Sequence, residues 1–184
     1  QGKIIETPKQ LFTRVAIHGA LPDLMYDPQI FDITKQQPQH ESIECDYAAS
    51  DNKYAIGKYK LNQYHLEAIH RMWERANRQG TVKVSFSQIL SMLAEGTFNT
   101  HERTIDDFYN VMVTRRFMPN TPAIANFGNV LGMGSACFVI DIEDSIDDIM
   151  EKLKQTAIVF KAGGGMGYNF SGLRPEGDFV ASTG

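Results

Sequence analysis

The chain has 184 residues, 42% of them hydrophobic, with 22 acidic against 18 basic side chains and a net charge of −4. That length accommodates one domain with an appended piece and a sizeable core, and the moderate charge, 15 glycines and 7 prolines exclude a disordered or collagen-like chain. A pI near 5.7, with Arg115-Arg116 as the nearest thing to a basic cluster, argues against a nucleic-acid binder, and no apolar run approaches the ~18 residues of a membrane span.

The first half reads as helical. Thr7-Pro8 supplies a capping hydroxyl and a proline in the first turn, ahead of the apolar stripe Leu11, Phe12, Val15 and Ala16. The polar stretch from Asp32 to Asn52, with Pro38 inside it, predicts a long irregular excursion. Leu61, Ala68, Ile69, Met72 and Ala76 then recur at helical spacing, and Asn77 to Gly80 closes that helix. Ser85 caps a third helix carrying Phe86, Ile89, Leu90 and Leu93, which Gly96 ends. A fourth, from about His101, carries Ile105, Phe108, Tyr109 and Met112. Residues 1–116 are therefore expected to form a mainly helical domain.

At Phe117-Met118-Pro119 the pattern changes, and residues 117–184 are expected to form an α/β unit. Pro122-Ala-Ile-Ala reads as a short strand. Ala136-Cys-Phe-Val-Ile-Asp-Ile is a nearly continuous apolar run of the kind buried on both faces of a parallel sheet. Ser145 caps a helix with the stripe Ile146, Ile149, Met150, Leu153, Ala157 and Phe160, acidic residues at its start and Lys161 at its end, as the helix dipole favours. After Gly163-Gly164-Gly165, the run Met166-Gly-Tyr-Asn-Phe reads as another strand, so this segment is a βαβ crossover.

Two cysteines, Cys45 and Cys137, are too few for a secreted disulfide scaffold, and five histidines without a metal-ligand spacing give no structural zinc site. With no amino-terminal signal pattern, a cytoplasmic location without membrane contact is expected. Two readings of Cys137 stand open: a packed core thiol, since cysteine is among the most buried residue types, or a sulfur at the mouth of a sheet where ligands collect. Cys45, in the polar excursion, reads as incidental. Four glycines in the five positions 163–167 exceed what a helix end and a tight turn require, and let backbone approach a ligand closely. The order helix then strand excludes a phosphate loop of the usual kind. Pro119-Asn120-Thr121-Pro122 is either a plain turn or a stiffened segment presenting two hydrogen-bonding side chains. The carboxylates from Asp141 to Asp148 are better explained as solvated helix-start charges than as a metal cluster.

Taken in order, Arg116-Phe-Met-Pro-Asn-Thr-Pro122, Gly134-Ser-Ala-Cys-Phe-Val139, Glu143-Asp-Ser145, Lys161-Ala-Gly-Gly-Gly-Met-Gly167 and Leu173-Arg-Pro-Glu-Gly-Asp178 resemble ribonucleotide reductase, most of all the adenosylcobalamin-dependent (class II) type. Glu6-Thr7-Pro8, Leu11-Phe12 and Arg14-Val15-Ala16 are similar to the family's amino-terminal helical region. The resemblance implies an α/β fold in which a helical domain precedes the first strands and helix of a ten-stranded barrel. It implies an enzyme that reduces ribonucleoside diphosphates or triphosphates to deoxyribonucleotides by thiyl-radical chemistry. Cys137 then matches the first cysteine of the redox-active pair. Thr121, Ala136, Cys137 and Gly165 match substrate contacts, Ala136 and Gly165 through main chain, with Asn120, Ser135, Gly164 and Gly167 lining the same cavity.

Adenosylcobalamin is the implied cofactor, bound mostly by residues outside this chain, with a separate metal-bearing radical subunit as the alternative source of the radical. The implied partners are the ribonucleotide, the remaining carboxy-terminal chain, a nucleotide effector, a thioredoxin-like dithiol reductant and, in the complete enzyme, a second copy. The chain begins at Gln1 and stops soon after Phe179-Val180, so a fragment is expected: the radical cysteine, the second reductant and the effector loop would lie past Gly184, leaving the isolated chain without turnover and tightly associated with the rest of the barrel. From a different class, a non-catalytic nucleotide-binding or interaction module retaining this half of the fold is the competing expectation.

Overall fold

The computed structural model describes residues 4–179. The chain divides into two compact units after Gly134, later than the change in composition at Phe117. Residues 180–184, which include the last step toward the expected effector loop, lie outside the described residues.

The first unit is helical: α1 (Pro8–Met25), a hairpin of β1 (Ala55–Ile56) and β2 (Tyr59–Lys60), α2 (Gln63–Arg78), α3 (Phe86–Glu95), a 3-10 turn, α4 (Glu102–Val113) and α5 (Thr121–Asn126). Thr7, Asn62 and Ser85 open α1, α2 and α3 with reciprocal capping boxes, each side chain accepting from the N–H three residues on while that residue's side chain accepts from the cap's own N–H. Gly96 ends α3 at φ 77°, a left-handed conformation that suits glycine. The core is one cluster that includes Leu21, Leu24, Leu66, Ile69, Trp73, Phe86, Ile89 and Ile105. Trp73 is fully buried and its indole N–H donates to Val84 O at 2.9 Å.

The polar excursion is irregular, as its composition predicts, and it is fastened to α2 by side chains that imitate a backbone ladder. The Asn77 amide accepts from the His40 N–H and donates to the His40 carbonyl, both at 2.8 Å. Farther along, the Tyr47 hydroxyl meets Nδ1 of His70, whose ring stacks on Phe86 at 4.1 Å between centroids. The short β1–β2 hairpin had no clear signature, because two-residue strands carry no alternation to read.

The second unit is the expected βαβ crossover. Strands β3 (Cys137–Asp141) and β4 (Gly165–Asn169) pair in parallel, with α6 (Ile146–Lys161) between them in sequence. Two expectations are corrected here. The 136–142 run is not covered on both faces: exposure alternates along β3, and Val139 is 78% exposed, because α6 lies against one side of a two-stranded sheet only. The apolar stripe of α6, expected from its period to be a covered face, is mostly open, with Ile149 half-buried. Ile146, Met150, Leu153 and Phe160 are exposed, while Thr156 and Val159 turn inward, Thr156 bonding the Tyr168 hydroxyl at 2.5 Å and Val159 closing over Gly164. Among the described residues no helix is long and apolar enough to cross a membrane.

Candidate functional site

In the second unit the parallel register sets Cys137 opposite Gly165, Val139 opposite Gly167 and Asp141 opposite Asn169. Side chains alternate across a strand, so these residues share the face away from α6, and Phe138, Ile140, Met166 and Tyr168 share the face toward it. Cys137 is accordingly an exposed free thiol and not a packed core residue. At the other end of the same face Asp141 and Asn169 close on each other through a 2.9 Å hydrogen bond.

The glycine run separates into two pairs with different reasons. Gly163 stands at φ 86°, just past the end of α6, where a side chain would be strained. A Cβ on Gly164 would lie 2.8 Å from the Val159 side chain and 3.1 Å from the Phe138 ring, so helix–strand contact demands its absence. Gly165 and Gly167 are different. Neither has positive φ, and a Cβ on either would make only ordinary contacts, the nearest at 3.6 Å and 3.8 Å. Folding therefore does not require glycine at these two positions, and both flank Cys137 and Val139 on the open face. The Gly165 N–H is already engaged, donating to Ala136 O at 2.6 Å. Ser135 is exposed and Ala136 half-buried just before the strand.

The acidic residues serve the start of α6. Ser145 Oγ accepts the Asp148 N–H at 3.2 Å, the Asp148 carboxylate accepts the Glu143 N–H at 2.9 Å, and Asp144 pairs with Arg174 at 2.6 Å.

Asn120 and Thr121 belong to the first unit. The expected strand at Pro122-Ala-Ile-Ala is instead the short helix α5: Asn120 Oδ1 accepts the Ala123 N–H at 2.9 Å as an N-cap, and Pro122 falls in the first turn, where its missing N–H costs nothing. Apolar character without a period cannot separate a strand from a six-residue helix. Thr121 is the exposed first residue of α5.

Behind α5 lies a polar cluster that the sequence did not announce as a unit. Arg14 on α1 is held by Glu6 at 2.6 Å and donates to the carbonyls of Ile124, at 3.2 Å, and Phe127. Gly128 follows at φ 67°; its N–H donates to His18 Nδ1 at 3.0 Å and its carbonyl accepts from the Asn62 amide at 2.9 Å. His65 completes the cluster with Nε2 3.1 Å from the Arg14 carbonyl. Burial, with Arg14 beside it, lowers the His18 pKa to about 4, and burial brings His65 to about 3, so both rings stay neutral. The Asn62-x-x-His65 spacing marks the cap of α2, but the joining of α1, α2 and the 124–128 segment has no local signal.

Comparison with known proteins agrees with this division. The family model described as "Ribonucleotide reductase, all-alpha domain" matches residues 1–132, and that described as "Ribonucleotide reductase, barrel domain" matches residues 135–184. A protein of Thermoplasma acidophilum named vitamin B12-dependent ribonucleoside-diphosphate reductase is 38% identical over 183 residues, 99% of this chain and 22% of that protein. A protein of the same name from Mycobacterium tuberculosis is 48% identical over 82 residues, 45% of this chain and 12% of that protein. The large subunit of ribonucleoside-diphosphate reductase from Arabidopsis thaliana is 26% identical over 179 residues, 97% of this chain and 21% of that protein. The chain thus spans 22% and 21% of the length of the two relatives it matches almost throughout. The helical unit ordered around α1 and α2, the βαβ unit that follows it, and both family matches lead to one conclusion: this chain belongs to the ribonucleotide reductase family and comprises its all-alpha domain and the start of its barrel domain.

Proposed function

We propose that this chain is the amino-terminal part of an enzyme that reduces ribonucleoside diphosphates or triphosphates to 2′-deoxyribonucleotides, and that Cys137 is one of its two reductant thiols. The observation that carries the proposal is the pairing of an exposed thiol with Gly165, on a sheet face where folding does not ask for glycine. Bare backbone beside a free thiol leaves room for a ribose ring to approach the sulfur. The reaction balances as follows: the ribose C2′–O bond breaks and a C2′–H bond forms, the oxygen leaves as water, and Cys137 and a second cysteine supply the two electrons and two protons this consumes in forming a disulfide. A dithiol of the thioredoxin class then reduces that disulfide by exchange.

In this proposal Thr121, Ala136 and Gly165 contact the ribonucleotide, and Asn120, Ser135, Gly164 and Gly167 line its cavity. The two strands open a ten-stranded barrel completed by a carboxy-terminal chain, which also carries the effector site; two copies form the working enzyme.

Relatives named for vitamin B12 support adenosylcobalamin, which when bound supplies the radical that starts the reaction. The open face offers Val139, two glycines and an Asp141–Asn169 pair closed on itself, which does not provide the hydrogen-bonding set for a corrinoid's amide arms, so no residue here is assigned to it and no step is derived through it.

The test uses the reductase assembled from this chain and the remaining barrel, with cobalamin and a dithiol. Cys137→Ser is expected to abolish turnover while ribonucleotide binding persists, and Gly165→Ala to raise KM without changing the unfolding midpoint. Turnover by Cys137→Ser would refute the assignment. Full activity of Gly165→Ala would refute the substrate contact.

A further inference from the structure

We infer that Arg14 is a positioning residue for substrate binding: by holding the carboxy-terminal end of α5, it fixes Thr121 at the other end of that helix. The inference rests on the proposal that Thr121 contacts the ribonucleotide.

A helix of six residues is far below the length at which a helix is stable by itself, so α5 keeps its shape only through what holds its two ends. Its first turn is tied by the Asn120 side chain and by burial of Pro122 and Ala123. Its last carbonyls are free of intrahelical partners by necessity, and Arg14 takes two in that region, Ile124 O and Phe127 O. A guanidinium suits this place for two reasons. Its planar fork reaches two carbonyls at once, which a lysine ammonium on a flexible stem does not, and its positive charge lies where the helix dipole is negative. Glu6 faces the other side of the guanidinium with Oε1 at 2.6 Å and Oε2 at 3.0 Å from its nitrogens, which aims the fork at the α5 carbonyls.

The clamp is deeply set. The Arg14 side chain is 12% exposed, its own carbonyl faces His65, and Gly128 passes so close that a Cβ there would overlap both the His65 ring and the Arg14 stem. Thr121 itself is exposed and makes no side-chain hydrogen bond among the described residues. Asn120 and the buried Pro122 tie the first turn of α5 and the Arg14–Glu6 pair ties its last, so the placement of the free Thr121 hydroxyl depends on both ends being held.

The experiment compares Arg14→Lys, Glu6→Gln and Thr121→Ala in the assembled reductase, measuring KM and kcat for the ribonucleotide together with the thermal midpoint. Loss of an interaction made equally in ground and transition states raises KM and spares kcat, so Arg14→Lys is expected to raise KM about tenfold, and Glu6→Gln about threefold, with kcat within about twofold of the parent. Thr121→Ala in the Arg14→Lys background is expected to add little to KM, because both act on one contact. An unchanged KM in folded Arg14→Lys and Glu6→Gln, with a raised KM in Thr121→Ala, overturns the inference alone. An unchanged KM in all three overturns the assignment of Thr121 on which it rests.

Discussion

Acid should unfold the helical unit partly through one imidazole. His65 is 2% exposed, its Nδ1 accepts the Asn62 N–H at 3.1 Å, and its Nε2 faces the Arg14 carbonyl at 3.1 Å. This geometry admits one state, neutral with the proton on Nε2, because a proton on Nδ1 would confront the Asn62 N–H. Burial accordingly moves the pKa from an ordinary 6.5 down to about 3. The sign follows from proton counting. Above pH 6.5 neither folded nor unfolded chain binds the proton and the full stability is present; below it the unfolded chain binds a proton that the folded chain excludes, and stability falls until the folded pKa is reached. At about 1.4 kcal/mol per pH unit, the 1.5 units from 6.5 to pH 5 remove about 2 kcal/mol, a large share of a typical domain stability of about 5–15 kcal/mol. His18, whose ring centroid is 6.1 Å from that of His65, adds a loss in the same direction. The assay is urea unfolding of the chain at pH 7 and pH 5, followed by the fluorescence of its single tryptophan, Trp73. His65→Gln keeps an acceptor at the third position of α2 for the Asn62 N–H but does not titrate. It is expected to lose about 2 kcal/mol less than the parent between the two pH values. An equal loss in both chains would refute the reasoning.

Three further outcomes are expected. Gly128→Ala forces a side chain into a left-handed backbone and against His65 and Arg14, and should cost more than about 2 kcal/mol, read as a lowered urea midpoint. Asn77→Ala leaves the His40 N–H and carbonyl without partners and should cost about 2 kcal/mol, with amide exchange rising through residues 36–52 before the rest of the unit. Ser145→Ala removes the acceptor for the Asp148 N–H and should cost about 1 kcal/mol, seen as faster exchange in the first turn of α6 and unchanged exchange in α1 to α4.

The chain's own order of residues determined its longer helices and the motifs on which the proposed site rests. Capping residues followed by the helical period marked α1 and α3, and the period with its closing glycine marked α2, because these signals act within a few turns and need no partner from elsewhere. The same holds for the βαβ crossover, where an apolar run, a capped helix and a glycine-ended turn occur in sequence. The ordered motifs around Thr121, Cys137 and Gly165 were likewise legible, and they led to the family that the comparisons show. What tertiary structure decided is which side of each element is covered. Composition marks the 136–142 run and the α6 stripe as apolar, but whether Val139 or Phe160 is buried depends on what else lies against it. Tertiary structure also separated the glycines: Gly163 and Gly164 answer to a backbone angle and a neighbouring valine, Gly165 and Gly167 to neither. Arg14 and His65 gain their roles only when α1, α2 and the segment after α5 meet, since hydrogen bonds spanning 51 to 113 residues leave no period in the sequence.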